Sequence, residues 1–261
     1  MPEDATRGEI RTYFARGKNA LVARGDFGPL YADLVLHEAD WEISYGAHEE
    51  PLRDLLAALA LYAASRPLTE TSAWTLHFED PPANLFAVAD NAAGRITGTA
   101  FFEDVKVSGQ NLFHAARAAA GGPDRRSVTA FEGGDVFAAA EVFHLQSEQR
   151  LARYFRLAPE DIVMVQSQPD CDEEWLRGLD TGAVATLDRE LELVLLERRP
   201  LVFGCGCTHE RMLDVLLPVM RSDPDGLFGG GETVRMRCPR CGARHKITRE
   251  AMEARLAAAK S

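Results

Sequence analysis

Four of the five cysteines in this 261-residue chain, Cys205, Cys207, Cys238 and Cys241, fall into two close pairs, Cys-x-Cys and Cys-x-x-Cys, separated by thirty residues. Thiolate sulfur is a soft donor, and four such donors in two knuckles match tetrahedral zinc, each knuckle supplying half the shell. Clustered thiols in a reducing compartment point to metal rather than to disulfides. An iron–sulfur cluster is the lesser alternative, because one residue separates the first pair and no cysteine follows the second. The expected ligands are therefore Cys205, Cys207, Cys238 and Cys241, holding one Zn2+ per chain. His209 and His245 flank them, but four thiols already close the site, which leaves the histidines as supporting or surface groups. The fifth thiol, Cys171, lies among Asp170, Asp172, Glu173 and Glu174, whose charge raises its pKa and blunts its reactivity.

Charge near the second pair bears on reactivity. Arg235, Arg237, Arg240, Arg244 and Lys246 crowd it, and Arg211 follows the first pair. Positive charge favours the thiolate that oxidants attack, so the pairs could close as disulfides. The same cations could equally neutralise an anionic zinc–tetrathiolate centre. A dithiol oxidoreductase would need only Cys238 and Cys241, and would set them in a βαβ pattern that is missing here. A zinc deaminase needs its histidine motif near the cysteines, whereas His48-x-Glu50 lies about 190 residues away. No phosphate-binding glycine loop, Gly-x-Ser-x-Gly or His-Glu-x-x-His occurs, so an enzyme is not expected.

The elements that must position these residues follow from length and pattern. A chain of 261 residues suits one sizeable domain with a smaller appendage, and 46% apolar and 26% charged residues exclude wholesale disorder or a coiled-coil rod. Apolar runs such as Ala57–Ala64 are too short to span a membrane, and the start Met1-Pro2-Glu3-Asp4 carries no signal-peptide pattern, so a cytoplasmic protein without a membrane partner is expected. The net charge of −11 is uneven: residues 201–261 hold 10 basic and 7 acidic side chains, residues 1–200 hold 19 and 33. An acidic body repels polyanions, which disfavours nucleic acid as a partner.

Residues 10–36, with apolar stretches broken by Gly17, Gly25 and Gly28-Pro29, read as strand and turn. Leu52, Leu55, Leu56, Leu59 and Leu61 follow near-helical spacing after Pro51 and predict a buried helix. Residues 73–107 alternate like a meander of antiparallel strands. Gln110–Ala120 reads as a helix stopped by Gly121-Gly122-Pro123, Ser127–Phe131 as a strand, Asp135 as the cap of a helix, and Ile162–Val165 as a buried strand. Mixed runs without regular βαβ alternation give the α+β class. Residues 170–200 carry Leu176, Leu179, Val184, Leu187, Leu191, Val194 and Leu195 in an amphipathic pattern ended by Pro200, a helical connector. The expected organisation is an α+β sheet-and-helix body over 1–169, an amphipathic helical linker over 170–200 and a small zinc-binding module over 201–261. A module of that size seldom folds without a staple, and structural zinc contributes on the order of 10 kcal/mol, so metal and folding are linked there.

Phe203-Gly-Cys-Gly-Cys-Thr-His-Glu-Arg211 and Val234-Arg-Met-Arg-Cys-Pro-Arg-Cys-Gly242 strongly resemble the C-terminal redox switch of the heat shock protein 33 family of chaperones. Phe143-His-Leu-Gln-Ser-Glu-Gln149, Val163-Met-Val-Gln-Ser-Gln-Pro169 and Val128–Gly133 resemble further family segments in the same order. The resemblance covers most of residues 50–250. It implies an ATP-independent, oxidative-stress-activated holdase, kept inactive by zinc on Cys205, Cys207, Cys238 and Cys241. Oxidation to the disulfides Cys205–Cys207 and Cys238–Cys241 would release zinc and unfold switch and linker, with homodimerisation on activation among the family's states. Unfolding client proteins would then bind the linker of residues 170–200 and the sheet it covers. The chain departs from the family pattern at Ala57–Leu61, at Arg66-Pro67 and in a short linker of 35 residues between Pro169 and Cys205. Those departures leave a second expectation, a constitutive or redox-insensitive zinc-dependent interaction module on the same fold.

Overall fold

The computed structural model describes residues 8–119 and 122–259. Strands β1 (Gly8–Ala15) and β2 (Ala20–Asp26) precede helices α1 (Gly28–Trp41) and α2 (Glu49–Ala64). The meander β3 (Glu70–Glu79), β4 (Pro82–Asp90) and β5 (Arg95–Phe101) follows, then β6 (Asn111–Ala119), β7 (Arg125–Phe131), α3 (Val136–Gln146), β8 (Ala152–Ala158) and β9 (Asp161–Ser167). Three short helices, α4 (Glu173–Gly178), α5 (Thr181–Ala185) and α6 (Leu187–Glu190), lead into β10 (Leu193–Phe203). The C-terminal part holds α7 (His209–Ser222), α8 (Pro224–Phe228), the hairpin β11 (Thr233–Arg237) and β12 (Arg244–Thr248), and α9 (Arg249–Ala258). The architecture is α+β, as the sequence predicts.

Ten strands form one sheet in the order β7-β6-β3-β4-β5-β10-β1-β2-β9-β8. Its neighbours pair antiparallel except β10 and β5, which run parallel and pair only at Val202 with Arg95 and Phe203 with Ile96. The sheet is thus two five-stranded halves joined at one short seam. Helix α2 fills the space they enclose: Leu52, Leu55 and every residue from Leu56 to Ala64 are buried. A helix apolar on all sides is stable only where it is surrounded. Around it gather Trp74, Phe113 and Phe143, with the Tyr62 ring 5.0 Å from Trp74 and Phe113 stacked 4.8 Å from Phe143. Helix α3, which supplies Phe143, starts as expected at Asp135, whose carboxylate accepts from the Ala138 N–H at 3.0 Å.

Three expectations are corrected. The stretch Gln110–Ala120 is strand rather than helix, because β6 is paired on both sides, with β3 and β7, and sends Phe113 and Ala115 into the core at a period of two. Its alanines favour a helix in isolation, and tertiary pairing overrides them; residues 120 and 121 lie outside the described residues. Gly28-Pro29 is not a turn but the start of α1, with proline in the first helical turn. The helical connector over 170–200 is helical only to Glu190, in three short pieces whose Leu176, Leu179, Val184 and Leu187 pack on Val22, Phe155, Val163 and Val165. Beyond it the chain becomes β10, paired with β1 from Gly8–Leu201 to Ala15–Leu193. Pro200 sits inside that strand without breaking it. The neighbouring Val202 N–H points at the Gly94 carbonyl, so the N–H that proline lacks would face the side where β5 has not yet begun.

The segments Phe143–Gln149 and Val163–Pro169 meet in the core at His144. This fully buried imidazole lies 2.9 Å from the Tyr154 hydroxyl through Nε2 and 3.3 Å from Gln166 Nε2 through Nδ1. Gln166 donates to Nδ1 and Nε2–H donates to Tyr154, an arrangement that suits only the neutral ring. Burial, reinforced by Arg150 and Arg66, depresses its pKa to about 3. The unfolded chain therefore binds a proton below pH 6.5 that the folded chain refuses. Stability is expected to be flat above about pH 7 and to fall by about 1.4 kcal/mol per pH unit as pH drops from 6.5 toward 5. Urea midpoints across that range check this, and His144→Gln removes the slope.

Candidate metal centre

Strand β10 delivers the first cysteine pair. The Val202 and Gly204 N–H groups donate to the carbonyls of Gly94, just before β5, and of Ile96 within it at 3.1 and 2.8 Å, fixing the chain one residue before Cys205. Gly206 turns the loop at φ +66, a conformation open to glycine, and the Arg211 guanidinium braces it by donating to the Gly206 carbonyl at 2.7 Å. Immediately after Cys207, the Thr208 hydroxyl accepts from the Arg211 N–H at 3.2 Å and caps α7. The second pair occupies the turn between β11 and β12. There the Cys238 N–H donates to the Ala243 carbonyl at 2.7 Å and the Gly242 N–H to the Cys238 carbonyl at 2.9 Å.

These loops bring all four sulfurs within 4.8 Å of one another, the one such donor cluster of Cys, His, Asp or Glu among the described residues. Cys205 lies 3.7 Å from Cys238 and Cys207 lies 3.5 Å from Cys241, contacts that run across the two pairs. Tetrahedral zinc with sulfur at ~2.3 Å requires sulfur–sulfur edges of ~3.8 Å, so donor set and spacing fit this ion. Cys238 and Cys241 are buried, while Cys205 and Cys207 are half-buried. The titration of the thiols is set first by one another. Hydrogen bonding with Cys207 lowers Cys205 to about 7, and bonds led by that with Cys205 lower Cys238. Cys207 and Cys241 are pushed up, each led by its bond with Cys205. The backbone N–H groups of Arg240 and Ala243 add donors to the Cys238 and Cys241 sulfurs. Arginine crowding, the cause read from sequence, is not the leading one. Arg211 braces Gly206, and Arg237 donates to the Ala100 carbonyl at 3.2 Å and lies over the Phe101 ring.

The site leans on parts of the body that the sequence did not mark. Helix α1 contributes His37, whose Nε2 is 2.9 Å from the Cys241 carbonyl, and Trp41, which packs on the cysteine cluster. His245 is buried with its ring 5.0 Å from Trp41, and burial lowers its pKa; His209 is exposed at the start of α7. Neither histidine joins the four sulfurs, in line with their expected supporting role. Cys171 stands apart with its pKa raised by burial first and by Glu173 and Asp172 next. Gly242 has φ +77, and a Cβ there would meet Thr99 Oγ1 of β5 at 2.9 Å. Gly242→Ala is therefore expected to destabilise the docked module by about 1–2 kcal/mol, the penalty of a left-handed non-glycine residue. A roughly tenfold weaker metal affinity in a chelator competition checks it.

The module has little core of its own. Met212, Leu213, Met220, Phe228, Ile247 and Met252 are its buried apolar side chains beyond those at the cysteine cluster, too few to hold residues 205–259 folded without a staple. Among the described residues no helix is long and apolar enough to cross a membrane.

Residues 156–248 match the family model described as Hsp33 protein. The chain is similar in structure to the 33 kDa chaperonin, heat shock protein 33 homolog, of Thermotoga maritima, with a TM-score of 0.70 at 12% identity over 97% of this chain and 98% of that one. No curated protein matches the sequence. The match over residues 156–248 spans β9, the short helices, β10 and both cysteine pairs, and the structural likeness extends the same fold to the body.

Proposed function

We infer that this chain is a divergent member of the Hsp33 family, and from that premise propose that it is a redox-regulated, ATP-independent holdase of the cytoplasm, acting by binding unfolding proteins and not by catalysis. The observation that carries the reading is the convergence of four thiols from two loops within 4.8 Å of one another in a core-poor module. Cys205, Cys207, Cys238 and Cys241 would hold Zn2+, which when bound keeps all four sulfurs as thiolates and ties the two loops together. Residues 1–169 would serve as the chaperone body, 170–200 as the connector and the remainder as the switch.

In this reading each cysteine pair is oxidised by one molecule of peroxide. A thiolate attacks the O–O bond and becomes a sulfenic acid, and the neighbouring thiol displaces water from it. Two thiols thus yield one S–S bond and two waters. Pairing as Cys205–Cys207 and Cys238–Cys241 replaces the contacts between loops by bonds within them, so the sulfur link between β10's end and the β11–β12 turn is lost. Clients would be held on apolar surface that the switch and the connector cover.

Suppression of the aggregation of a thermally unfolding enzyme tests this. The reduced, zinc-loaded chain should be inactive, the peroxide-treated chain active near equimolar ratio, and dithiothreitol with zinc should reverse the gain. Equal suppression in both states would favour the other reading, a constitutive or redox-insensitive module. One observation supports that second reading: β10 is tied into the middle of the sheet by its full pairing with β1, which resists unfolding of the connector's C-terminal half.

A further inference from the structure

Strand β5 is interior by its place in the sheet yet unpaired along most of one edge. Its partner β4 engages Arg95 to Phe101, whereas β10 reaches only Arg95 and Ile96. Backbone groups on a strand face alternate sides, and the Gly94 and Ile96 carbonyls point toward β10, where they accept from Val202 and Gly204. The groups of Gly98 and Ala100 face the same edge, beyond the end of β10. Nothing there is a strand. The Arg237 guanidinium, one residue before Cys238, donates to the Ala100 carbonyl at 3.2 Å. Gly242, one residue after Cys241, lies against Thr99, and Tyr45 donates to the Thr99 hydroxyl at 3.3 Å. Residues 96–100 are buried, with α2 packed on the Ile96, Gly98 and Ala100 face and the turn lying over the Ala100 carbonyl. The metal-bearing turn is therefore the lid on an open strand edge.

The edge is of a kind that proteins do not leave bare. Ile96-Thr-Gly-Thr-Ala-Phe101 holds no charge and no proline, the features that normally blunt an exposed edge, and such a stretch templates pairing with another extended chain. Its cover depends on a turn that the four thiols hold together.

We propose that the β5 edge at Gly98 and Ala100 is a docking site for an extended segment of an unfolding protein, closed by the Arg237–Gly242 turn and opened when that turn unfolds. This rests on the holdase reading and names a surface for it. Main-chain hydrogen bonds to an edge are indifferent to side-chain sequence, which suits a partner defined by being unfolded rather than by a motif. The seam residues Val202 and Phe203 lie on the same segment as Cys205, so loosening the first loop lengthens the available edge toward Ile96.

Amide hydrogen exchange at single-residue resolution on the full oxidised chain tests this, with reduced, carboxymethylated lactalbumin as a permanently unfolded client. Oxidation should speed exchange at Gly98 and Ala100 at least tenfold, and client should slow it again at least tenfold. The Thr97 and Thr99 amides, which face β4, should stay protected throughout. Client held by the oxidised chain with Gly98 and Ala100 still exchanging freely would overturn the edge proposal and leave the holdase reading standing. Oxidised chain that loses metal but holds no client would overturn both.

Discussion

Cys238→Ser is expected to abolish metal binding and to unfold residues 205–259 while residues 8–203 keep their fold. The serine oxygen is a harder donor than sulfur, and its substitution leaves a closed four-thiolate shell one soft ligand short. The module then relies on the few buried side chains around Met212 and Ile247, against a metal contribution on the order of 10 kcal/mol. The body does not share that dependence. Its two clusters, around α2 and beneath α4–α6, draw on no residue beyond Phe203. Metal content by mass spectrometry together with limited proteolysis checks both halves of the statement. A serine variant that retains stoichiometric metal, or one whose body is cleaved as fast as its module, would contradict it.

Trp74→Ala is expected to have the opposite distribution, destabilising the body by about 3–5 kcal/mol while metal stoichiometry stays unchanged. Trp74 is fully buried, 5.0 Å from the Tyr62 and Phe113 rings and 5.3 Å from Phe143, so truncation leaves a void bounded by α2, α3 and β6 that these rigid rings cannot close. Its indole N–H has no hydrogen-bond partner. Trp74→Phe therefore keeps most of the ring packing, removes an unsatisfied donor and should cost less than about 1.5 kcal/mol. Urea midpoints of the three proteins, followed by tryptophan-independent circular dichroism, check the order. An alanine variant as stable as the phenylalanine one would show that the ring cluster does not hold the two halves of the sheet on α2.

What could be read from the sequence follows a physical line. Helix α2 announced itself because it is apolar all round, the meander β3–β5 because it alternates, and α3 because Asp135 caps it. The four cysteines stood out because soft donors at knuckle spacing have few other uses. Elements whose state is decided by distant partners were misread. The alanine-rich β6 is a strand because β3 and β7 flank it, and β10 is a strand despite Pro200 because β1 pairs with it from almost two hundred residues away. The same limit hid the supports of the metal centre. His37 and Trp41 lie on α1, and Thr99 and Ala100 on β5, and nothing local to those residues signals that a turn at 237–242 will rest on them. The one hint was the apolar, uncharged run of β5 itself, which needs cover on both sides.

If the four thiols jointly hold a metal, its loss is coupled to their oxidation. The most direct test is to add peroxide to the reduced, zinc-loaded chain and follow metal release into a chromogenic chelator together with free thiol. One equivalent of zinc should be released in step with the loss of four thiols, with Cys171 still free and peptide mapping placing the bonds at Cys205–Cys207 and Cys238–Cys241. Zinc that stays bound while the four thiols remain protected would contradict it and leave a purely structural metal site.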